Sequence, residues 1–163
     1  MLPPEITQLI GKIGEPVVRE VEKGAIKKLA DAIGDTNPLY WDEEYAKKSR
    51  YGSIIAPPCF FGWPVKWAGS VTFFYMPQFA ELYQEWMDIM TKAGYPRRLG
   101  GGNEFEFFQP VRAGDILTST LKIADITERE GKSGKLIFTT FEVPYVNQNG
   151  EMVTKLRNTM ICR

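Results

Sequence analysis

The chain has 163 residues, 44% of them hydrophobic and 25% charged, which is typical of one globular domain, so we expect residues 1–163 to form a single domain. Twenty basic and twenty acidic residues cancel, which argues against nucleic acid or an anionic membrane as a partner. There is no histidine, and two cysteines without a secretory signal indicate reduced thiols, no metal site and a cytoplasmic protein.

Helical signals dominate the first part of the chain. Apolar residues recur at helical spacing over 22–33, and Gly34 ends this helix because glycine adopts left-handed geometry at little cost. The turn-forming Asp-Thr-Asn-Pro sequence of 35–38 follows, and then a short polar helix over 42–48. A buried helix is predicted to begin near Pro58 and to extend toward residue 68, because proline is favoured at the first helical position.

The second half changes from helix to strand. Residues 79–93 have the spacing of an amphipathic helix. Strands are predicted over 103–108, 116–126, 135–146 and 152–161, with turns at 111–115 and 147–150. This order predicts an α+β fold in which an antiparallel sheet wraps around a long buried helix.

Three segments in this order carry a resemblance to a known family. They are 34–42 with its Gly-Asp-Thr-Asn-Pro, 53–60 with its Ile-Ala-Pro-Pro, and 102–107 followed by 110–115. Together they resemble the MaoC-like enoyl hydratases and acyl dehydratases, especially their N-terminal, first-half domains, over nearly the whole chain. The resemblance implies a hot-dog fold and a substrate that is an acyl-CoA or acyl-carrier thioester. We expect no cofactor.

The sequence departs from active members of that family at two places. Their turn ends in histidine, where this chain has Tyr40, while Asp35 matches the family carboxylate. A phenol, with an ordinary pKa near ~10, is a poor base at neutral pH. Active members also have Ala-His-Gly where this chain has Ala-Pro-Pro, so Pro58 lacks the N–H that would help to polarise the thioester carbonyl.

Candidate site residues follow from these motifs, each with a structural alternative. Asp35 and Tyr40 are the catalytic candidates of a degenerate site, although Asp35 also suits an ordinary turn. The substrate-binding candidates are Asn37, Cys59, Phe60, Trp63, Trp67, Phe74 and Trp86. The aromatic members of this set are more typical of a core than of a ligand site, Asn37 is first a turn residue, and Cys59 is better interpreted as a packed thiol than as a nucleophile. Phosphate contacts are a further possible role, against ordinary surface exposure, for Arg97, Arg98 and Arg112.

The leading hypothesis is a non-catalytic or substrate-binding subunit of a heteromeric enoyl-CoA hydratase or 3-hydroxyacyl-thioester dehydratase. The resemblance implies that the long strands of two hot-dog halves join into one sheet, and we expect the other half to be a catalytic MaoC-like partner subunit, in a heterodimer or larger assembly. One alternative is a self-sufficient homodimeric hydratase or thioesterase that uses Asp35. Another is an acyl-CoA-binding protein without catalysis.

Overall fold

The computed structural model of the chain describes residues 2–64, 80–132 and 134–163. Its helices are α1 (Pro4–Thr7), α2 (Lys23–Ala32), a 3-10 turn (Pro38–Tyr40), α3 (Glu43–Lys48) and α4 (Ala80–Lys92). Its strands are β1 (Val17–Glu20), β2 (Trp63–Pro64), β3 (Arg98–Phe107), β4 (Ile116–Ser119), β5 (Lys122–Gly131), β6 (Gly134–Val146) and β7 (Met152–Cys162). No helix in these ranges is long and apolar enough to cross a membrane.

The strands form one antiparallel sheet in the order β2-β1-β4-β6-β7-β3, with β5 also paired to β6. Burial alternates along β6 from Leu136 to Val146, because successive side chains point to opposite faces. One face therefore carries the core and the other is open to solvent. The predicted α+β architecture is confirmed.

Helix α4 supplies the buried helix that the sheet wraps. Trp86 and Met90 are fully buried on its inner face. The indole N–H of Trp86 donates to the Thr139 hydroxyl at 3.0 Å, and its ring meets Phe141 edge-on at 5.1 Å. The helix predicted over 79–93 from apolar periodicity is thus confirmed within its described residues.

The predicted strand over 116–126 is interrupted. Strands β4 and β5 pair with the same edge of β6, and they are separated by two residues. Ser119 pairs with Tyr145. The next residue, Thr120, therefore lies opposite Pro144, which has no N–H to donate to the ladder. A proline on the facing strand accounts for the break.

The helix predicted to begin near Pro58 is wrong for the described part of that segment. Cys59 has a positive φ of 69°, and the Phe60 N–H donates to the Pro57 carbonyl at 3.1 Å, which closes a turn. The chain then enters β2. A left-handed residue cannot continue an α-helix, and proline disfavours helical geometry in the residue before it. The predicted continuation toward residue 68 lies outside the described residues.

Candidate functional site

The site begins where α2 ends. Gly34 has a φ of 69°, and its N–H donates to the Asp31 carbonyl at 3.0 Å. The Asp35 N–H donates to the Ala30 carbonyl at 2.8 Å, which completes a Schellman motif. Glycine is required here because the left-handed geometry would strain any residue with a Cβ. The helix end therefore fixes the position of Asp35.

Two short polar side chains then close the turn. Asp35 Oδ1 accepts from the Asn37 N–H at 3.0 Å, and Asn37 Oδ1 accepts from the Leu39 N–H at 3.1 Å. The indole N–H of Trp41 donates to the Asp35 carbonyl at 2.8 Å. Asp35 and Asn37 therefore both have the structural role that their turn chemistry allows, while their side chains remain half-buried rather than covered.

Tyr40 lies beside this pair and is 7% exposed. Burial raises the pKa of its phenol above the ordinary value, the nearby Asp35 carboxylate and Tyr51 raise it further, and a hydrogen bond with the Asn37 side chain opposes the rise. The phenol is therefore neutral at physiological pH and can donate a hydrogen bond, but it cannot act as a base. The structure brings Asp35, Asn37 and Tyr40 together as the motif predicts.

The segment before the double proline is fastened to this turn. The Ile55 N–H donates to the Leu39 carbonyl at 3.3 Å, and the Ala56 N–H donates to the Val111 carbonyl at 2.8 Å. The predicted turn at 111–115 is held by the buried Asp115, whose carboxylate accepts from the Arg112 N–H at 2.7 Å. All three motif segments therefore meet through the 111–115 turn and the 35–40 turn.

Cys59 occupies the turn after the prolines and is exposed. Partial desolvation raises the pKa of the thiol above its ordinary value, so this is not an activated thiolate. Pro58 has no N–H, and the Phe60 N–H is used inside the turn. Among the described residues, no acceptor takes the Cys59 N–H, which leaves it as the one amide of this turn that could meet a carbonyl oxygen.

The aromatic candidates separate into three groups. Phe60 is buried in the core beside the turn, and Trp86 is fully buried beneath the sheet. Trp63 forms β2 by pairing its backbone with Glu20, and its side chain is not described. The remaining candidates lie outside the described residues: Trp67 and Phe74.

Sequence reasoning missed a row of stacked aromatic rings on the inner face of the sheet, the face that carries the core. Phe61 stacks on Tyr145 with ring centroids 4.4 Å apart, and it lies 6.0 Å from Phe105. Phe105 in turn lies 5.9 Å from Phe107, which is 52% exposed on the edge strand β3. This row, Phe61 to Phe107, runs from the turn to the edge of the sheet. Only the pairing register of the strands could have revealed it.

The arginines proposed for phosphate contacts serve local roles. Arg98 donates to the Met87 carbonyl at 2.9 Å and to the Thr91 hydroxyl at 2.7 Å, near the C-terminal end of α4. Arg112 Nε donates to the Tyr51 carbonyl at 3.4 Å. Arg97 pairs its backbone with Arg163. A phosphate role for these side chains stays a prediction.

An antiparallel sheet that wraps a buried helix, with a polar turn beside it, defines the α+β hot-dog class. A family model described as "FAS1-like, dehydratase domain region" matches residues 8–156. The chain belongs to this family. The resemblance to MaoC-like dehydratases is therefore confirmed.

Two curated relatives and one solved structure illustrate the likeness. A "UPF0336 protein" of Streptomyces avermitilis is 37% identical over 113 residues, 69% of this chain and 66% of that protein. A "Probable enoyl-CoA hydratase alpha subunit" of Thermomonospora curvata is 28% identical over 81% of this chain, but the match spans only 41% of that protein. The crystal structure of the ChsH1-ChsH2 complex from Mycobacterium tuberculosis shares the fold with a TM-score of 0.79 at 18% identity, covering 96% of this chain and 92% of the other.

Proposed function

We propose that this chain is the substrate-binding, non-catalytic subunit of a heteromeric enoyl-CoA hydratase or 3-hydroxyacyl-thioester dehydratase. The observation that carries the proposal is the neutral, buried Tyr40 beside Asp35, where active family members place an imidazole. Hydration of an enoyl thioester needs a base that takes a proton from water as its oxygen bonds to the β-carbon, and a proton must then be delivered to the carbon beside the thioester. A phenol whose pKa is raised by burial and by a carboxylate can donate, but it cannot take that proton.

The turn at Cys59 also supports a substrate-binding role for this chain and a catalytic role for a partner chain. A hot-dog hydratase would polarise its thioester carbonyl with amides at a helix N-terminus, and here the corresponding residues form a proline-rich turn instead. Loss of one such donor costs on the order of 100-fold to 1000-fold in rate. The chemistry is therefore assigned to a partner chain with an intact Asp-x-Asn-Pro-x-His turn.

Strand β3 is the surface that we assign to this partner. It lies at the end of the sheet order, so one of its edges has no neighbour among the described strands. Exposed edges of this length tend to acquire another strand. The half-exposed Phe107 at that edge would be covered by the partner or by the acyl chain that the two subunits share.

The test compares the isolated chain with the reconstituted complex. We expect no measurable hydration of an enoyl-CoA by this chain alone, and turnover when a MaoC-like chain with the intact histidine turn is added. In the complex, Asp35→Asn in this chain should change the rate less than three-fold, whereas replacing the partner's histidine should abolish it. Asp31→Asn, an exposed position one turn earlier, is the matched control.

The two alternatives give different outcomes. A self-sufficient hydratase or thioesterase would turn over substrate in the isolated chain and lose that activity with Asp35→Asn. A binding protein without catalysis would bind the acyl-CoA in a calorimetric titration, yet it would add nothing to any MaoC-like partner. Either result would overturn the proposal.

A further inference from the structure

The outer face of the sheet, opposite α4, carries a row of three apolar residues on three strands, which ends at a threonine on a fourth strand. Leu99 on β3 lies opposite Ile161 on β7, Ile161 lies opposite Phe138 on β6, and Phe138 lies opposite Thr127 on β5. Leu99 is 49% exposed, and Ile161 and Phe138 are half-buried. Large apolar side chains in a continuous row on a solvent face indicate an interaction surface.

A basic row borders the apolar row on one side. Arg97, just before β3, and Arg163, just after β7, face each other and exchange two backbone hydrogen bonds of 2.9 Å. Arg129 on β5 lies on the same side, with its guanidinium 4.7 Å from the centre of the Phe138 ring. All three arginines are exposed. Like charges placed directly across a strand pair destabilise a sheet, and an acidic partner would offset that cost.

An acidic groove borders the apolar row on the other side. Its cavity measures about 540 Å³, and Thr140 and Thr159 form its floor. The walls carry the carboxylates of Glu104, Asp125 and Glu142. Glu142 is already paired with Lys155 Nζ at 3.0 Å and Arg157 Nε at 3.3 Å, so Glu104 and Asp125 supply the acidic character. Both flanks of the groove coincide with β-bulges, one in β3 and one in β5. Bulges bend a strand away from the regular sheet surface and so deepen the groove.

These three rows are self-complementary. We propose that the outer face binds the outer face of a second copy of this chain, about a two-fold axis that runs along the apolar row. A rotation about that axis places each basic row over the acidic groove of the other copy, while the apolar residues pack on themselves. On β5, Arg129 faces Asp125 of the second copy, because these residues lie two positions to either side of Thr127. On β3, Arg97 lies over Gly102 of the second copy, and Glu104 is one row further from the axis.

The second copy is favoured over another occupant because β5 supplies both members of the charge match, Arg129 and Asp125, at equal distances from the axis. A two-fold interface requires that property, since the same patch must serve on both sides. Sheets packed in this way lie ~10 Å apart. The contact spans four strands, spaced ~4.8 Å apart, and three rows of side chains, spaced ~6.8 Å apart along the strands. This is a small interface, so we expect weak association that is detectable at micromolar concentrations of the chain. The free edge of β3 stays open, so this association does not depend on the proposed function.

A charge swap within one strand tests the proposal. Asp125→Arg and Arg129→Asp should each raise the dissociation constant of the self-association at least ten-fold, measured by sedimentation of the full chain. The double variant should recover to within three-fold of the natural chain, because the two charges exchange places across the axis. Lys47→Asp on α3 is the control of equal charge change, and it should have no effect. A chain that stays monomeric at 100 micromolar, single variants without effect, or a double variant that fails to recover would overturn the proposal.

Cross-linking provides a readout that does not rely on charge. In a Cys59→Ser background, Thr127→Cys places one thiol of each copy beside the axis, so a short bismaleimide should join two chains. Lys48→Cys should remain uncoupled under the same conditions. Equal coupling at both positions, or none at Thr127, would overturn the proposed axis. A dimer joined only through the β3 edge would give that negative result.

Discussion

Arg19 on β1 and Tyr145 on β6 form a hydrogen-bonded pair in the core, where Arg19 is 1% exposed and Tyr145 is 2% exposed. The guanidinium also reaches the Ser119 hydroxyl at 3.5 Å. Burial of a charged group costs free energy unless hydrogen bonds satisfy it. The pair also orders the site, because the Tyr145 ring stacks on Phe61 in the segment that follows the double proline.

Tyr145→Phe should destabilise the fold by about 1–3 kcal/mol, because it removes an acceptor from a buried guanidinium while the ring and its stacking remain. The free energy of urea unfolding at pH 8 measures the effect. Tyr45→Phe removes a hydroxyl from an exposed tyrosine and should change stability by less than about 0.5 kcal/mol. Equal effects of the two substitutions would contradict an energetic role for the Arg19–Tyr145 hydrogen bond.

Alkaline pH should weaken the fold through buried groups. Burial raises the pKa of Tyr145, although Arg19 opposes the rise, and burial raises the pKa of the Cys162 thiol to about 11. A group with a raised pKa in the folded state stabilises fully below its unfolded pKa and loses that contribution as the pH rises through the folded value. Stability should therefore fall from about pH 9 upward, where the unfolded thiol and phenols begin to ionise.

The free energy of unfolding, measured as a function of pH, distinguishes Tyr145→Phe from the natural chain. The stability curves of the natural chain and of Tyr145→Phe should converge as the pH rises above about 10, because only the natural chain loses the phenol contribution. Parallel curves for Tyr145→Phe would mean that this phenol does not contribute to the alkaline transition.

Local signals explain what the sequence could predict. Apolar spacing located α2 and α4, and the Asp-Thr-Asn-Pro turn placed Asp35 beside Tyr40 without knowledge of the rest of the fold. Strand β1 was missed because its sequence, Val-Val-Arg-Glu, does not alternate between apolar and polar residues. Its burial does alternate, but one of the two buried positions is Arg19. The turn at Cys59 was missed because the helix preference of proline is local, whereas contacts with β1 fix the segment.

Gly62 shows how tightly that segment is held. It has a φ of 80°, and a Cβ at this position would lie 2.7 Å from the Glu20 carbonyl oxygen. Gly62→Ala should therefore combine left-handed strain of about 1–2 kcal/mol with a clash against backbone that costs a further 1–3 kcal/mol, roughly. Gly52, with a φ of 73° and no atom within 4 Å of its would-be Cβ, is the matched control.

Thermal unfolding of the two alanine variants measures the difference. Gly52→Ala should show the strain alone, and Gly62→Ala should be the less stable of the two by the cost of the clash. If the two variants unfold at the same temperature, the close approach between the Gly62 segment and β1 does not constrain the fold.

The two cysteines should differ in reactivity by several orders of magnitude. Cys59 is exposed in its turn, whereas Cys162 is fully buried and its thiol has a pKa of about 11. Only the thiolate reacts at an appreciable rate, so at pH 8 a chromogenic disulfide reagent should modify one thiol per chain quickly and the second only as the protein unfolds. Cys59→Ser should remove the fast phase and leave the slow one.

The slow phase should accelerate in Gly62→Ala in proportion to its loss of stability, because exposure of Cys162 then depends on the population of open molecules. A second fast thiol in the folded chain would place Cys162 outside the core.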